Sequence, residues 1–161
     1  IAEIALDTYA VALAFADQPH PKTSHEARFS LQHAVAWSLV HGSFGLPATE
    51  PTNLNDQAYR DLRARVSVHV GAEQEAAYPK SFGARLRILT KDQRTLATEV
   101  IHLLGDPENP LSPGQVEEKA IDLLVASQWS RPRAEALTSV CRNLPYEKTC
   151  NSLWASLAEQ N

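Results

Sequence analysis

Ile4, Leu6 and Thr8 fall on one side of the opening stretch IAEIALDTY, a period of two that predicts a strand over residues 1–9. The Ala-rich AVALAFAD that follows fits a short helix or a continued strand, and its periodicity does not choose between them. QPHPKT is a Pro-bounded turn. Thr23 followed by Glu26 reads as a capping box that opens a helix running to about His41, with Gly42 as its stop. Ser30 is a rival start for that helix, which would leave Arg28 in the entering loop and His33 in the first turn.

Beyond the Gly, Pro, Thr and Asn loop SFGLPATEPTNLND, a short helix is expected around residues 57–64. RVSVHV (65–70) alternates, with Val66, Val68 and Val70 on one face and Ser67 and His69 on the other. GAEQEAAYPKSFG reads as a connecting loop. ARLRILT (84–90) and TLATEVIHL (95–103) are further strands, and the hairpin-sized KDQR between them favours antiparallel pairing. Ser112, Pro113 and Gln115 make a strong helix start, and two more helical patterns follow at about 132–143 and 146–159. The order predicts a single α+β domain over residues 1–161, a small antiparallel sheet covered by helices in two layers, with helices at the C-terminus. There is no repeat, low-complexity tract or convincing internal boundary.

Composition adds exclusions. Of the 161 residues 43% are hydrophobic and 21% charged, with a net charge of −4, which is ordinary for a globular domain. Lys and Arg are scattered, so neither a nucleic acid nor an anionic membrane surface is an expected partner. No apolar run approaches a bilayer span, and no secretory signal pattern is present. Cys141 and Cys150 are then expected to be reduced thiols of a cytoplasmic protein. No CxxC or HxxxH pattern supports a metal site, and no phosphate loop, nucleophile elbow or dinucleotide fingerprint occurs. The chain contains no methionine and opens directly on regular structure, as a processed protein or one piece of a longer polypeptide would.

Candidate chemistry therefore rests on constellations. His20, His25, His41 and His102 lack a local partner pattern and suit surface or capping roles. His33 sits near a helix start, between Arg28 and an apolar body, where it is either a half-buried packing residue or an anion-facing one. Tyr78 precedes Pro79, which holds it extended; its phenol is presented to a ligand or its ring anchors the loop.

Pro21–His33 (PKTSHEARFSLQH), Tyr78–Ala84 (YPKSFGA) and Gly105–Ser112 (GDPENPLS) with Glu118-Lys119 together resemble the MmgE/PrpD family, in the order and spacing of its C-terminal region. The family includes 2-methylcitrate dehydratase, cis-aconitate decarboxylase and iminodisuccinate epimerase. The resemblance implies a lyase or isomerase acting on a small polycarboxylate by proton abstraction next to a carboxylate, with no metal and no organic cofactor. It implies that the chain is the smaller α+β lid domain of a longer or split enzyme, with the large helical N-terminal domain as its partner and the active site between them. A homodimer is the implied assembly.

On the same resemblance, His33 and Tyr78 are the catalytic residues, and Arg28 and Ser30 bind substrate. Arg28 stands where the family usually has lysine. Arginine forks a carboxylate well but stays protonated, so either a proton transfer made by that lysine is lost here or the substrate is a different one. An imidazole titrates near neutrality and could move a proton, and a phenol could donate to enolate-like charge. The alternative reading is a non-catalytic stand-alone remnant that binds a partner or metabolite.

Overall fold

The computed structural model describes residues 1–158, which divide into two compact units, Ile1–Leu103 and the residues from Leu104 onward; the last position of the helical pattern expected over 146–159 lies outside the described residues. The sequence patterns carry no signal of that division. In the first unit, β1 (Glu3–Thr8), β2 (Val66–Val70), β3 (Ala84–Leu89) and β4 (Thr95–Val100) form one sheet in the order β2-β1-β3-β4. The α+β reading holds, but the sheet is mixed. β3 pairs antiparallel with β1 and β4, whereas β1 and β2 are parallel. The reason is the connection: a tight turn forces an antiparallel return, while the long helical excursion between β1 and β2 allows the chain to re-enter in the same direction.

That excursion comprises α1 (Ala10–Ala16), α2 (Ser24–Arg28), α3 (Leu31–His41), a 3₁₀ turn (Leu46–Thr49), α4 (Pro51–Leu54) and α5 (Gln57–Arg63). The ambiguous AVALAFAD is thus a helix. The two rival starts are both used. Thr23 caps α2, accepting from the Glu26 amide, and Ser30 caps α3, accepting from the His33 amide. Phe29 is the break between them. Glu26 reaches the amide of Lys22 rather than that of Thr23, so the expected capping box is only half formed. Gly42 ends α3 at φ 78°, a left-handed conformation that favours glycine.

Residues 71–83 are not the plain loop expected from the sequence. Ala72–Ala77 form α6, which opens with Glu73 and Glu75 in its first turn. Acidic side chains there favour the positive end of so short a helix, and the Glu75 carboxylate also accepts from the Ala10 amide across the fold at 2.7 Å.

The core lies on one face of the sheet, where Ile4, Leu6, Thr8 and Val66 are buried. Helices α1 and α3 pack against β2, and α5 packs against α3. Complete burial of Ile4 and Leu54 contributes roughly 2 kcal/mol each. Register places Asp7 opposite Arg85, and Arg85 opposite Glu99, on the other face; Arg87 pairs with Asp7 there at 2.9 Å. Cover fades toward β4, all of whose residues are exposed.

The second unit is helical: α7 (Pro113–Ala126), α8 (Arg131–Asn143), a 3₁₀ turn (Leu144–Tyr146) and α9 (Asn151–Ala158). Ser112 opens α7 with a complete capping box and Pro113 at the first position, as its sequence predicts. Ile121, Ala134 and Leu137 form its small buried centre. Arg131 holds α7 to α8 through Glu118 and Asp122. Cys141 and Cys150 are free and exposed.

Candidate functional site

The α2–α3 corner begins with an inversion of the usual helix pattern. Along α3 the buried residues are Gln32, His33, Ala36 and Trp37, while Val40 is 53% exposed. Two polar side chains face the interior and an apolar one faces out. Buried polar groups need partners; His33 has one at each ring nitrogen, whereas Gln32 has one at Nε2 and, among the described residues, none at Oε1. Gln32 Nε2 donates to Asp17 Oδ1 at 2.5 Å.

His33 is fully buried, with its Nε2 2.6 Å from the Ala48 carbonyl oxygen and its Nδ1 3.1 Å from Arg63 Nη1. Trp37, Phe44 and Tyr59 surround the ring at centroid distances of 6.2, 6.1 and 6.4 Å. Burial pushes the His33 pKa below its ordinary value, the Ala48 carbonyl opposes this, and the nearby Arg63 charge lowers it further.

Ser30 is equally committed. Its Oγ accepts from the His33 amide at 3.0 Å and donates to the Gln18 carbonyl at 2.5 Å, and the residue is 2% exposed. Its one hydroxyl hydrogen is therefore given to the chain. Arg28, two residues earlier at the end of α2, is exposed, and among the described residues no carboxylate pairs with it. One corner thus gathers an outward cation at Arg28 and an inward pair at Ser30 and His33.

Tyr78 belongs to a different cluster. It caps the C-terminus of α6 in an extended conformation (φ −68°, ψ 140°), as its position before proline predicts, and the Tyr78–Pro79 peptide is cis. Its ring stacks on Tyr9 at 4.7 Å and meets Phe82 edge-on at 5.8 Å. No ring contact joins this cluster to the one around His33 among the described residues.

Of the remaining histidines, His41 stacks on Trp37 at 4.1 Å and bonds the Tyr59 hydroxyl at 2.6 Å, a partner its local sequence does not reveal. His69 is exposed, as its strand position predicts. Among the described residues no cluster of His, Cys, Asp and Glu is suited to a metal, and no helix is long and apolar enough to cross a membrane.

The sequence reading passes over Arg63, which lies in the last turn of α5, 5% exposed. Its Nη2 donates to the Leu54 carbonyl at 2.8 Å, and among the described residues its Nε has no partner. A signal is present in QAYRDLR: Arg63 is four residues after Tyr59, hence on the same helix stripe. A terminal arginine reads as solvated only until that stripe is known to face α3.

Residues 1–142 match the MmgE/PrpD C-terminal domain. The chain belongs to this family. Among curated proteins it is similar to the human cis-aconitate decarboxylase, 23% identical over 139 residues, and to the mouse cis-aconitate decarboxylase, 26% identical over 142 residues. Each alignment covers 86% of this chain and 28% of the relative, so the chain spans well under a third of the length of either decarboxylase. The MmgE/PrpD match takes in the whole first unit, with Arg28, Ser30, His33, Arg63 and Tyr78, and the second unit through α7 and nearly all of α8.

Proposed function

We propose that this MmgE/PrpD domain is the smaller part of a lyase or isomerase that acts on a small polycarboxylate by removing a proton next to a carboxylate. The observation that carries the reading is the α2–α3 corner, where an exposed, carboxylate-free arginine leads into a helix whose start is tied to a buried histidine. It stands together with family membership and the two decarboxylase relatives.

In this proposal Arg28 forks one substrate carboxylate, its planar guanidinium matching two oxygens. Ser30 acts by fixing the corner, since its hydroxyl is committed to Gln18 and His33. His33 and Tyr78 are the groups that would meet developing negative charge, each held by ring packing. The proton-abstracting base is then supplied in part by the remaining, helical portion of the enzyme.

A surface for that portion is on hand. Phe15 is 75% exposed and Phe29 46%, and both line a surface cleft of about 400 Å³ beside α2. Asp17 and Glu26 also line it, which suits a protein partner better than a polycarboxylate. Apolar side chains gathered this way mark contact surfaces.

The test is to isolate the natural polypeptide that carries this chain and determine its mass. It is then assayed with cis-aconitate, citrate, 2-methylcitrate and iminodisuccinate, with products followed by proton NMR. Turnover of one of these acids is expected, from a product much larger than 17.7 kDa or from a complex. No turnover of any of them would end the reading. Turnover by the 161-residue chain alone would overturn the division of labour.

A further inference from the structure

His33 lies between two groups whose chemistry leaves no choice. A guanidinium carries only donors, so the Nδ1 that faces Arg63 Nη1 at 3.1 Å must be a bare, accepting nitrogen. A backbone carbonyl only accepts, so the Nε2 that faces Ala48 at 2.6 Å must carry the hydrogen. One protonation state meets both conditions. The opposite tautomer would set N–H against N–H on one side and lone pair against lone pair on the other. An imidazolium would set N–H against N–H at Arg63.

Arg63 is suited to this task and to little else. Among the described residues it is a buried cation with no carboxylate bonded to it, tied only to His33 and the Leu54 carbonyl. Burying an unpaired charge is costly, so its place is not explained by packing or by an ion pair. The ionisable groups packed around this pair include Tyr59 and His41, bonded to each other, and Arg60, whose charge acts on Arg63. None of these is a carboxylate that would draw a proton onto the ring.

Resting on the reading above, we propose that Arg63 is a positioning residue that locks His33 as the neutral Nε2–H tautomer, so that His33 serves the reaction as a hydrogen-bond donor and not as its base. A substrate oxygen that gains negative charge takes the position now held by the Ala48 carbonyl. Ala48 sits in a 3₁₀ turn that follows the Gly42–Gly45 loop, and the donor becomes available when that turn yields. The proton removed from substrate goes to another group.

The test is the nitrogen-15 spectrum of the His33 ring in the 161-residue chain, assigned by its loss in His33→Gln. A protonated Nε2 and a bare Nδ1, unchanged from pH 8 to pH 6, is the expected result. In Arg63→Met the lock should fail, with tautomer mixing or a higher titration midpoint; Arg63→Lys should preserve the tautomer. A bare Nε2 or an imidazolium at pH 7 in the unaltered chain would overturn the proposal, as would an unchanged ring in a folded Arg63→Met. If that variant does not fold, the unaltered chain and Arg63→Lys decide. The spectra need no substrate, which separates the two failures. An unlocked ring in a turnover-competent enzyme refutes this proposal alone, and a locked ring in a protein that turns over no polycarboxylate refutes the proposed function.

Discussion

The Ser30 hydroxyl accepts the His33 amide hydrogen at 3.0 Å and passes its own hydrogen to the Gln18 carbonyl. The group that starts α3 therefore also places the histidine and fastens the incoming chain. Loss of a cap costs about 1 kcal/mol, and leaving the half-buried Gln18 carbonyl without its donor adds about 1 kcal/mol. Ser30→Ala is expected to destabilise the first unit by about 2 kcal/mol in urea unfolding. Thr23→Ala, at an exposed cap that starts a five-residue helix, should cost about half as much. Equal costs would mean that the bond to Gln18 contributes nothing.

A histidine kept neutral by burial makes stability depend on pH, and the sign follows from linkage. The folded His33 pKa lies below its ordinary 6.5, so below that pH the unfolded chain binds more protons than the folded one. The stabilisation is complete above about pH 6.5 and is lost as pH falls from there toward the folded value. The slope contributed is at most about 1.4 kcal/mol per pH unit. Urea midpoints of the unaltered chain should fall between pH 7 and pH 5 more steeply than those of His33→Gln. Parallel curves would show that His33 takes up its proton in the folded state.

Gly83 precedes β3 where the chain passes close to the end of β4. A Cβ at this position would lie 2.6 Å from the Val100 carbonyl oxygen and 3.3 Å from Ile101 Cα, both backbone atoms that cannot rotate away. Gly83→Ala is expected to cost about 1–3 kcal/mol through forced displacement of the strand. Thermal unfolding checks it; a melting temperature within a degree of the unaltered chain would show that the β3–β4 end is slack.

Arg28 separates binding from folding. Its side chain is exposed and without an ionic partner among the described residues, so Arg28→Ala should change stability by no more than about 0.5 kcal/mol. On the proposed function, the same change in the natural polypeptide should raise KM for a polycarboxylate at least tenfold, the loss of a charge-assisted contact of about 1.5 kcal/mol or more. Arg28→Lys should recover part of it. Steady-state kinetics decide, and an unchanged KM would remove Arg28 from the binding set.

The sequence by itself determined what depends on neighbours along the chain. Strand alternation at Ile4, Leu6 and Thr8, the caps at Thr23, Ser30 and Ser112, and the stop at Gly42 were legible because each is a bond or a period within a few residues. Local signals also conflicted. Thr23 and Ser30 offered one helix two beginnings, and the fold kept both by breaking the chain at Phe29. Tertiary structure decided the parallel partner of β1, the helix at Ala72–Ala77, and the stacking of Tyr78 on Tyr9. It also decided that α3 turns Gln32 and His33 inward. Whether a polar side chain is buried depends on partners far along the chain, here Asp17, Ala48 and Arg63. No period in α3 encodes those partners, because hydrogen bonds between distant segments exist only once the segments have packed.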